Sequence, residues 1–264
     1  MRICGRIRAL ISLLTRIPLG GQSIEEAAEV FFLVPLVGAL EGLVVSSTLT
    51  LLVWLGVNPV IVSVFYVFIH IVVTGGIHLD GFADYSDVLG SLKRGEQALR
   101  VLKDPRKGTY AIVAVSTRLI VGVVSLYVLI DVLELKFVIP LIASYIASAE
   151  AMFVSSFLGF EEPYEGMARS FTRHSKSLAH LFGNTLCYLL LSSALVILGS
   201  LVGIRVSSAA TLALPLLVGS VASYDANKRL GFVNGDVLGF SYELTKSASL
   251  TLVAVLVSAK NPVW

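Results

Sequence analysis

The sequence predicts an all-α, polytopic integral membrane protein, a bundle of about seven transmembrane helices. Hydrophobic residues make up 56% of the 264 and charged residues only 14%, with a mean hydropathy of +0.85. A soluble domain has a more polar balance. The apolar residues also fall into seven runs, each near the roughly 20 residues that a helix needs to cross a bilayer. The runs are residues 30–56, 59–75, 110–132, 137–158, 181–204, 206–224 and 237–259.

Before the first run, residues 1–19 predict an amphipathic helix that lies in the membrane interface. Four arginines alternate with an apolar stripe at helical spacing. A signal peptide is the competing interpretation. It is disfavoured because arginine recurs at Arg16 and no small-residue cleavage site follows a clean apolar core. The whole chain, residues 1–264, is therefore predicted to form one membrane-embedded domain.

Lysine and arginine are concentrated at the N-terminus and in three polar segments, one after every second apolar run. The three segments are residues 74–110, 159–180 and 225–246. The segments on the opposite side contain only Lys136, Arg205 and Lys260. By the positive-inside rule, the three polar segments are expected to face the cytoplasm.

Charge and cysteine content narrow the range of functions. The net charge of +2 is small and no basic low-complexity tract is present, so a nucleic acid partner is not expected. The two cysteines, Cys4 and Cys187, lie in different regions of the chain. They are predicted to be free thiols, because they indicate neither a disulfide framework nor a metal-binding pair.

Segment 74–110 is the longest polar stretch between the apolar runs, and its residues give the clearest indication of a functional site. Gly75 and Gly76 predict a turn that ends a hydrophobic helix and lets the backbone approach a ligand closely. Asp80, Asp84 and Asp87 follow at spacings of four and three residues, which places three carboxylates on one helical face. Because like charges repel, this arrangement favours a hard cation such as Mg²⁺ among them.

The same segment ends in a turn that is broken by proline and glycine and rich in cations. Lys103, Arg106 and Lys107 can bind a phosphate-bearing ligand, and Asp104 adds a further carboxylate. The alternative is a solvated loop whose charges only keep it in water, which is common for single exposed charges. For the whole group of residues, a combined metal and phosphate site is favoured.

These residues, together with others along the chain, closely resemble the cobalamin synthase family, the adenosylcobinamide-GDP ribazoletransferases. The resemblance lies in residues 75–84 (GGIHLDGFAD), Asp87, 102–109 (LKDPRKGT), 13–18 (LLTRIP), 32–38 (FLVPLVG), and 234–239 (NGDVLG) with Glu243. The stretch from Gly166 to Phe171 resembles a glycine-rich family loop. It departs from that loop at Ala168, where a second glycine is expected.

The resemblance implies a Mg²⁺-dependent transfer late in cobalamin biosynthesis, in a prokaryotic cell membrane with the site facing the cytoplasm. A hydroxyl of α-ribazole or its phosphate attacks the cobinamide-linked phosphorus of adenosylcobinamide-GDP, and GMP departs. Oligomerisation and association with other corrinoid-pathway enzymes are left open.

Site roles follow from the motifs and the reaction together. Catalytic roles are expected for Asp80, Asp84, Asp87, His78 and Asp104, with His78 or a metal-free aspartate taking the proton. Substrate and phosphate binding are expected for Lys103, Arg106, Lys107, Gly75, Gly76, Asn234 and Gly235. Metal ligands are expected among Asp80, Asp84, Asp87, Asp236 and Glu243, provided that the polar segments meet.

Two other functions would also explain parts of the sequence. A CDP-alcohol phosphatidyltransferase uses several membrane aspartates, but its pattern places Ala-Arg three residues after Asp-Gly, and here Ala83-Asp84 stands instead. A transporter would explain charges inside helices, such as Glu41, Arg118 and Glu150. It would not explain acids and bases in one polar segment. Matching depths predict an Arg118–Glu150 ion pair, with Glu41 as the competing partner.

Overall fold

In the computed structural model, the described residues, 2–21, 23–204, 211 and 213–260, fold as α-helices and short 3₁₀ turns without strands. The helices are α1 (Arg2–Leu14), α2 (Ile24–Ala28), α3 (Val34–Trp54), α4 (Pro59–Thr74), α5 (Ile77–Ser91), α6 (Glu96–Leu102), α7 (Thr109–Leu133), α8 (Val138–Leu158), α9 (Met167–Ser175), α10 (Leu178–Leu201), α11 (Leu214–Arg229) and α12 (Gly235–Lys260). The predicted all-α fold class is confirmed.

The membrane character is also confirmed, but the count of seven spans is not. Within the described ranges, four helical segments are long and apolar enough to cross a bilayer: Phe31–Trp54, Thr109–Leu158, Leu178–Leu201 and Gly235–Ala259. Thr109–Leu158 contains both α7 and α8. A fifth segment is obtained if α4 and α5, which meet at 98°, are taken as one broken span. α4 and α11 have only 16 residues each, and part of the predicted run 206–224 lies outside the described residues.

Helix α8 lies at the centre of the bundle and packs against α3, α10, α11 and α12. It is buried from Ile139 to Ser156, and many of its residues are alanine or serine. Glycines on the neighbouring helices allow the close approach that drives helix association in lipid. A Cβ at Gly38 of α3 would lie 2.8 Å from the Ala149 Cβ, and one at Gly219 of α11 would lie 2.8 Å from the Val154 Cβ.

The turn between α4 and α5 depends on two successive glycines, as the sequence predicts. Gly75 and Gly76 have φ angles of +67° and +71°, a left-handed conformation that costs other residues about 1–2 kcal/mol. The N-terminal segment closes over this turn. The Arg16 backbone N–H donates to the Val73 carbonyl (2.8 Å), and its side chain lies where a Cβ at Gly75 would stand. The LLTRIP stretch therefore supports the turn that starts α5.

The second and third polar segments are more helical than the sequence suggests. Segment 159–180 contains α9 and the first turn of α10, and in segment 225–246 only residues 230–234 separate α11 from α12. The third segment is therefore two helix ends and not a loop. α11 is tied to α5 through Asp225, whose carboxylate accepts from the Tyr85 hydroxyl (2.8 Å) and from Arg229 Nε (2.8 Å).

Candidate active site

Two of the three predicted aspartates converge on one lysine. Lys107 Nζ donates to Asp80 Oδ1 (2.7 Å) and to Asp84 Oδ1 (2.5 Å). Both aspartates lie on the face of α5 that the spacing of four residues predicts. Lys107 comes from the turn before α7. Asp80, Asp84 and Lys107, together with Asp236 described next, are called here the carboxylate site.

Helix α12 brings the third carboxylate to this site, so that two of the polar segments do meet. Asp236 stands in the first turn of α12 and interacts electrostatically with Asp80, Asp84 and Lys107. Its approach depends on glycine, because a Cβ at Gly81 would lie 2.9 Å from the Asp236 Cα. Asp236 thus adds a third carboxylate beside the two that bind Lys107, which leaves an excess of negative charge.

Asn234 orients Asp236. Its side-chain Oδ1 accepts from the Val237 backbone N–H (3.2 Å), and its Nδ2 donates to Asp236 Oδ2 (2.7 Å). The first bond satisfies a free N–H at the start of α12, and the second holds the carboxylate. Asn234 was expected to bind substrate, but its buried side chain is committed to these contacts. Gly235, the neighbouring expected substrate contact, is exposed and lines a cavity with Asp236.

Asp87 has a different role from the one that its spacing suggests. Its two carboxylate oxygens accept from the backbone N–H groups of Gly108 (2.6 Å) and Ala111 (2.8 Å) at the start of α7. A carboxylate at a helix N-terminus satisfies free N–H groups and interacts favourably with the helix dipole. This geometry argues against Asp87 as a third metal ligand, since it anchors the helix that follows Lys107.

Asp104 and Arg106 pair with each other and not with the carboxylate site. Arg106 donates from Nε and Nη2 to the two Asp104 oxygens, both at 3.1 Å. The hydrogen bonds from Arg106 lower the pKa of Asp104. The predicted catalytic role of Asp104 therefore finds no support in its contacts, whereas Arg106 is exposed and free to bind an anion in exchange for Asp104. Lys103 Nζ stands 4.6 Å from the centre of the Tyr164 ring.

Two cavities flank α5 beside the carboxylate site. One of about 430 Å³ has Asp80 and Lys107 at a wall that is otherwise mostly apolar. The other, of about 180 Å³, is lined by His78, Asp236 and residues of α8 and α9. The buried His78 ring stacks on Tyr242 with ring centres 4.1 Å apart. Asp80 and Lys107 can therefore contact a ligand in the first cavity, and His78 and Asp236 can contact one in the second.

Glu243 is not part of this group, which corrects its expected role as a metal ligand. It is fully buried between α4, α7 and α12, where His70, Arg118 and Lys246 contact its carboxylate. The predicted Arg118–Glu150 pair is wrong for the same reason, because Arg118 Nη2 lies 2.5 Å from Glu243 Oε2. Glu150 instead faces Asn184 of α10.

The amino-acid sequence of the chain matches a known protein family. The family described as Cobalamin-5-phosphate synthase matches residues 6–254. The chain belongs to this family.

Relatives of this cobalamin-5-phosphate synthase family member cover nearly its whole length. An adenosylcobinamide-GDP ribazoletransferase of Clostridium acetobutylicum is 29% identical over 95% of this chain and 96% of the relative. Proteins of the same name from Shewanella pealeana and Pyrobaculum aerophilum are 33% and 28% identical, each over 92% of both chains. No solved structure matches the chain. The expected resemblance to the family is confirmed.

Whether this family member can hold Mg²⁺ depends on which oxygen and nitrogen ligands lie close together. Among the described residues, no three His, Cys, Asp or Glu side chains stand close enough together to hold a metal ion by themselves. Mg²⁺, however, binds through one or two carboxylates and takes its remaining ligands from water and substrate phosphates. Asp80 and Asp84 meet that requirement, since both already reach one cation, the Lys107 ammonium. The residues present therefore fit Mg²⁺.

Sequence reasoning missed two parts of the arrangement. Arg16 lies against the glycine turn, and its only signal was membership in the LLTRIP stretch. His70 and Lys246 form part of a fully buried ionic group. The signal there was an ionisable residue inside an apolar run, which is expensive in a membrane and marks function by default. Lys246 was instead assigned to the cytoplasmic segment 225–246, because it ends a stretch of sequence with several charged residues.

Proposed function

We propose that this protein is an adenosylcobinamide-GDP ribazoletransferase that depends on Mg²⁺. A hydroxyl oxygen of α-ribazole or α-ribazole 5′-phosphate forms a bond to the phosphorus next to cobinamide. The bond from that phosphorus to the bridging oxygen of the pyrophosphate breaks, GMP leaves with the electron pair, and the hydroxyl proton passes to a base. The products are adenosylcobalamin, or its 5′-phosphate, and GMP. Family membership and the names of the full-length relatives support this proposal.

The observation that carries the proposal is the convergence of Asp80, Asp84 and Asp236 around Lys107. Asp80 and Asp84 would hold Mg²⁺, and Asp236 would act on the ion through water. A bound Mg²⁺ would neutralise the pyrophosphate and polarise its oxygens. The protein's own part is to fix the carboxylates in position before the substrate arrives, because their two helices pack through glycine.

Cations near the carboxylates would bind the phosphates. Lys107 would exchange its carboxylate partners for a phosphate oxygen once the ion is present, and Lys103 and Arg106 would contact the nucleotide part. His78 is the candidate proton acceptor, because it faces the same cavity as Asp236 and lies two residues before Asp80. A base in this position removes the proton as the new bond to phosphorus forms.

The reaction requires that the carboxylate site face the cytoplasm, where nucleotide substrates are found. The charge distribution supports this orientation. The end of the bundle with the carboxylate site also carries α6 and α9 with their lysine and arginine neighbours. At the opposite end, the described ranges contain two basic residues, Lys136 and Lys260. This asymmetry is the one used by the positive-inside rule.

The test is GMP release by detergent-purified protein from adenosylcobinamide-GDP, with either α-ribazole or its 5′-phosphate as the acceptor. Asp84→Asn removes one negative ligand at nearly constant volume and is expected to lower turnover by about 100-fold or more. Asp131→Asn, an exposed aspartate at the far end of α7, is the matched control and should stay within about twofold of wild type. Near-wild-type turnover of both Asp80→Asn and Asp84→Asn would refute the proposed site.

A further inference from the structure

A buried ionic cluster lies in the interior of the bundle, away from the carboxylate site. Its centre is Glu243, whose Oε1 lies 2.9 Å from His70 Nε2 and 3.1 Å from Lys246 Nζ. Its other oxygen, Oε2, faces Arg118 Nη2 at 2.5 Å. His70, Lys246 and Glu243 are completely buried, and Arg118 nearly so. Burying so many ionisable groups costs stability in water and more in a membrane, so a functional reason is expected.

Each helix that contributes to this cluster either carries part of the carboxylate site or is joined by a short turn to the residues that form it. His70 is on α4, which leads through the glycine turn into α5 with Asp80 and Asp84. Arg118 is on α7, which starts two residues after Lys107. Glu243 is on α12, seven residues or about 10 Å along the axis from Asp236. One carboxylate thus ties together the three chain segments whose ends must meet around a substrate.

The packing of α5 against α12 explains why such a tie is needed. A Cβ at Gly239 would lie 2.8 Å from the His78 carbonyl oxygen, and one at Gly81 would lie 2.9 Å from the Asp236 Cα. At these two points backbone meets backbone, and beside them His78 stacks on Tyr242 and Phe82 stacks on Phe240. Glycine contacts allow close approach, but neither they nor stacked rings have the fixed direction of a hydrogen bond or an ion pair. Buried polar groups with directional contacts are well attested as devices that set register.

We propose that the Glu243 cluster sets the register of α12 against α4 and α7, and thereby the position of Asp236 relative to Asp80 and Asp84. Glu243, His70 and Arg118 are positioning residues for the transfer reaction, and none of them touches the substrate. This inference rests on the proposed function, because it assumes that the three carboxylates act together on a phosphate-bound Mg²⁺.

The experiment compares two buried glutamates in the purified full-length protein. Glu243→Gln is expected to raise the Mg²⁺ concentration for half-maximal GMP release by about tenfold and to lower kcat. The KM for adenosylcobinamide-GDP at saturating Mg²⁺ should stay within about twofold, as for loss of a residue that orients metal ligands. Glu150→Gln is the matched control, because Glu150 is also buried but contacts α10 outside the cluster. It should leave the Mg²⁺ dependence unchanged.

A purely structural role predicts another result. Both variants would then lower the thermal midpoint while the Mg²⁺ dependence of each stays at the wild-type value, and this outcome would overturn the proposal. Arg118→Lys keeps the charge but changes the contact geometry. It should raise the Mg²⁺ concentration for half-maximal GMP release as much as Glu243→Gln does. The double variant should raise it no further, because both changes break the same Arg118–Glu243 contact.

The Arg118→Lys result also tests whether Glu243 binds the metal directly, since a direct ligand would leave that variant with normal Mg²⁺ dependence. If Glu243→Gln fails to fold, Arg118→Lys and His70→Gln give the same readout. Failure of the proposed function is recognised separately, as absence of GMP release by the wild-type protein. Failure of the proposed site is recognised as full activity of both Asp80→Asn and Asp84→Asn, which leave the cluster intact.

Discussion

Lys107 determines the charge balance of the carboxylate site. Partial burial alone lowers the pKa of the ammonium group, but hydrogen bonds with Asp80 and Asp84 outweigh this effect and raise it above the ordinary 10.5. The stabilisation from these ion pairs is therefore fully present below pH 10.5 and is lost as the pH rises through the higher folded value. At neutral pH a divalent ion has to displace a charged lysine, and it cannot rely on deprotonation.

Lys107→Met should therefore have opposite effects on metal binding and on turnover. In substrate-free protein at pH 7, Mn²⁺ binding measured by electron paramagnetic resonance should become tighter by roughly threefold to tenfold, as expected for the loss of two partly screened ion pairs. GMP release should fall, because a phosphate contact is lost. Lys93→Met, an exposed lysine without a carboxylate partner in the described contacts, is the control. Weaker Mn²⁺ binding by Lys107→Met would show that the lysine does not occupy the cation position.

At the scale of helices, the site is built where α5 and α12 cross. Gly81 and Gly239 let the backbones touch, and Phe82 of α5 stacks on Phe240 of α12 with ring centres 5.3 Å apart. The cap of α7 is equally close, since a Cβ at Gly108 would lie 2.6 Å from Asp87 Oδ1. Glycine at these points lowers the helix propensity, but it allows charged groups on neighbouring helices to come close together. The aspartates gain their arrangement from the glycines beside them.

Gly81→Ala and Gly239→Ala should each separate α5 from α12. A Cβ would meet backbone atoms that cannot rotate away, at a cost of about 1–3 kcal/mol as in other overpacked interiors. We expect a lower thermal midpoint and a drop in GMP release of about tenfold or more, because a small displacement of reacting groups is expensive. Gly5→Ala, in α1 with open space around it, is the control. Wild-type activity of both variants would contradict the close helix crossing.

For the whole molecule, the interior and the surface follow opposite rules. The outer faces of the spanning helices expose large apolar side chains such as Trp54, Phe68 and Ile120, as expected for contact with lipid. The interior holds serines on α8 and the Glu243 cluster. Because no water reaches a bilayer core, these polar groups must find partners within the protein. The polar chemistry therefore lies inside and at one end of the bundle.

The proposed orientation can be measured in intact cells or oriented vesicles. With Cys4 and Cys187 replaced by serine, a cysteine at Gln97 in α6 should react with an impermeant thiol reagent only from the cytoplasmic side. A cysteine at Leu135, 51% exposed between α7 and α8, should react only from the opposite side. The reversed labelling pattern would place the carboxylate site away from cytoplasmic nucleotides and would contradict the orientation.

The membrane fold, the glycine turn and the alignment of Asp80 with Asp84 were predictable, because they depend on composition and local helix periodicity. Local spacing also predicted too much, since Asp87 shares that face but turns its carboxylate to the start of α7. The spacing of residues within α5 does not show that the N-terminus of another helix, α7, packs against Asp87 with unpaired N–H groups. The number of membrane spans could not be predicted either. The amino-acid composition of α4 and α5 is compatible with one spanning helix, and it does not show that the chain bends by 98° between them.

The sequence by itself determined the family, the membrane-embedded helical class and the stretch that carries the acids and bases. Only the tertiary structure decided which charges meet. Asp236 joins Asp80 and Asp84 because two glycine faces pack together. Glu243, one motif with Asp236 in the sequence, is instead buried with Arg118 and His70. The physical reason is that the energy of a buried charge depends on partners and on exclusion of water, which long-range helix packing sets and residue spacing does not.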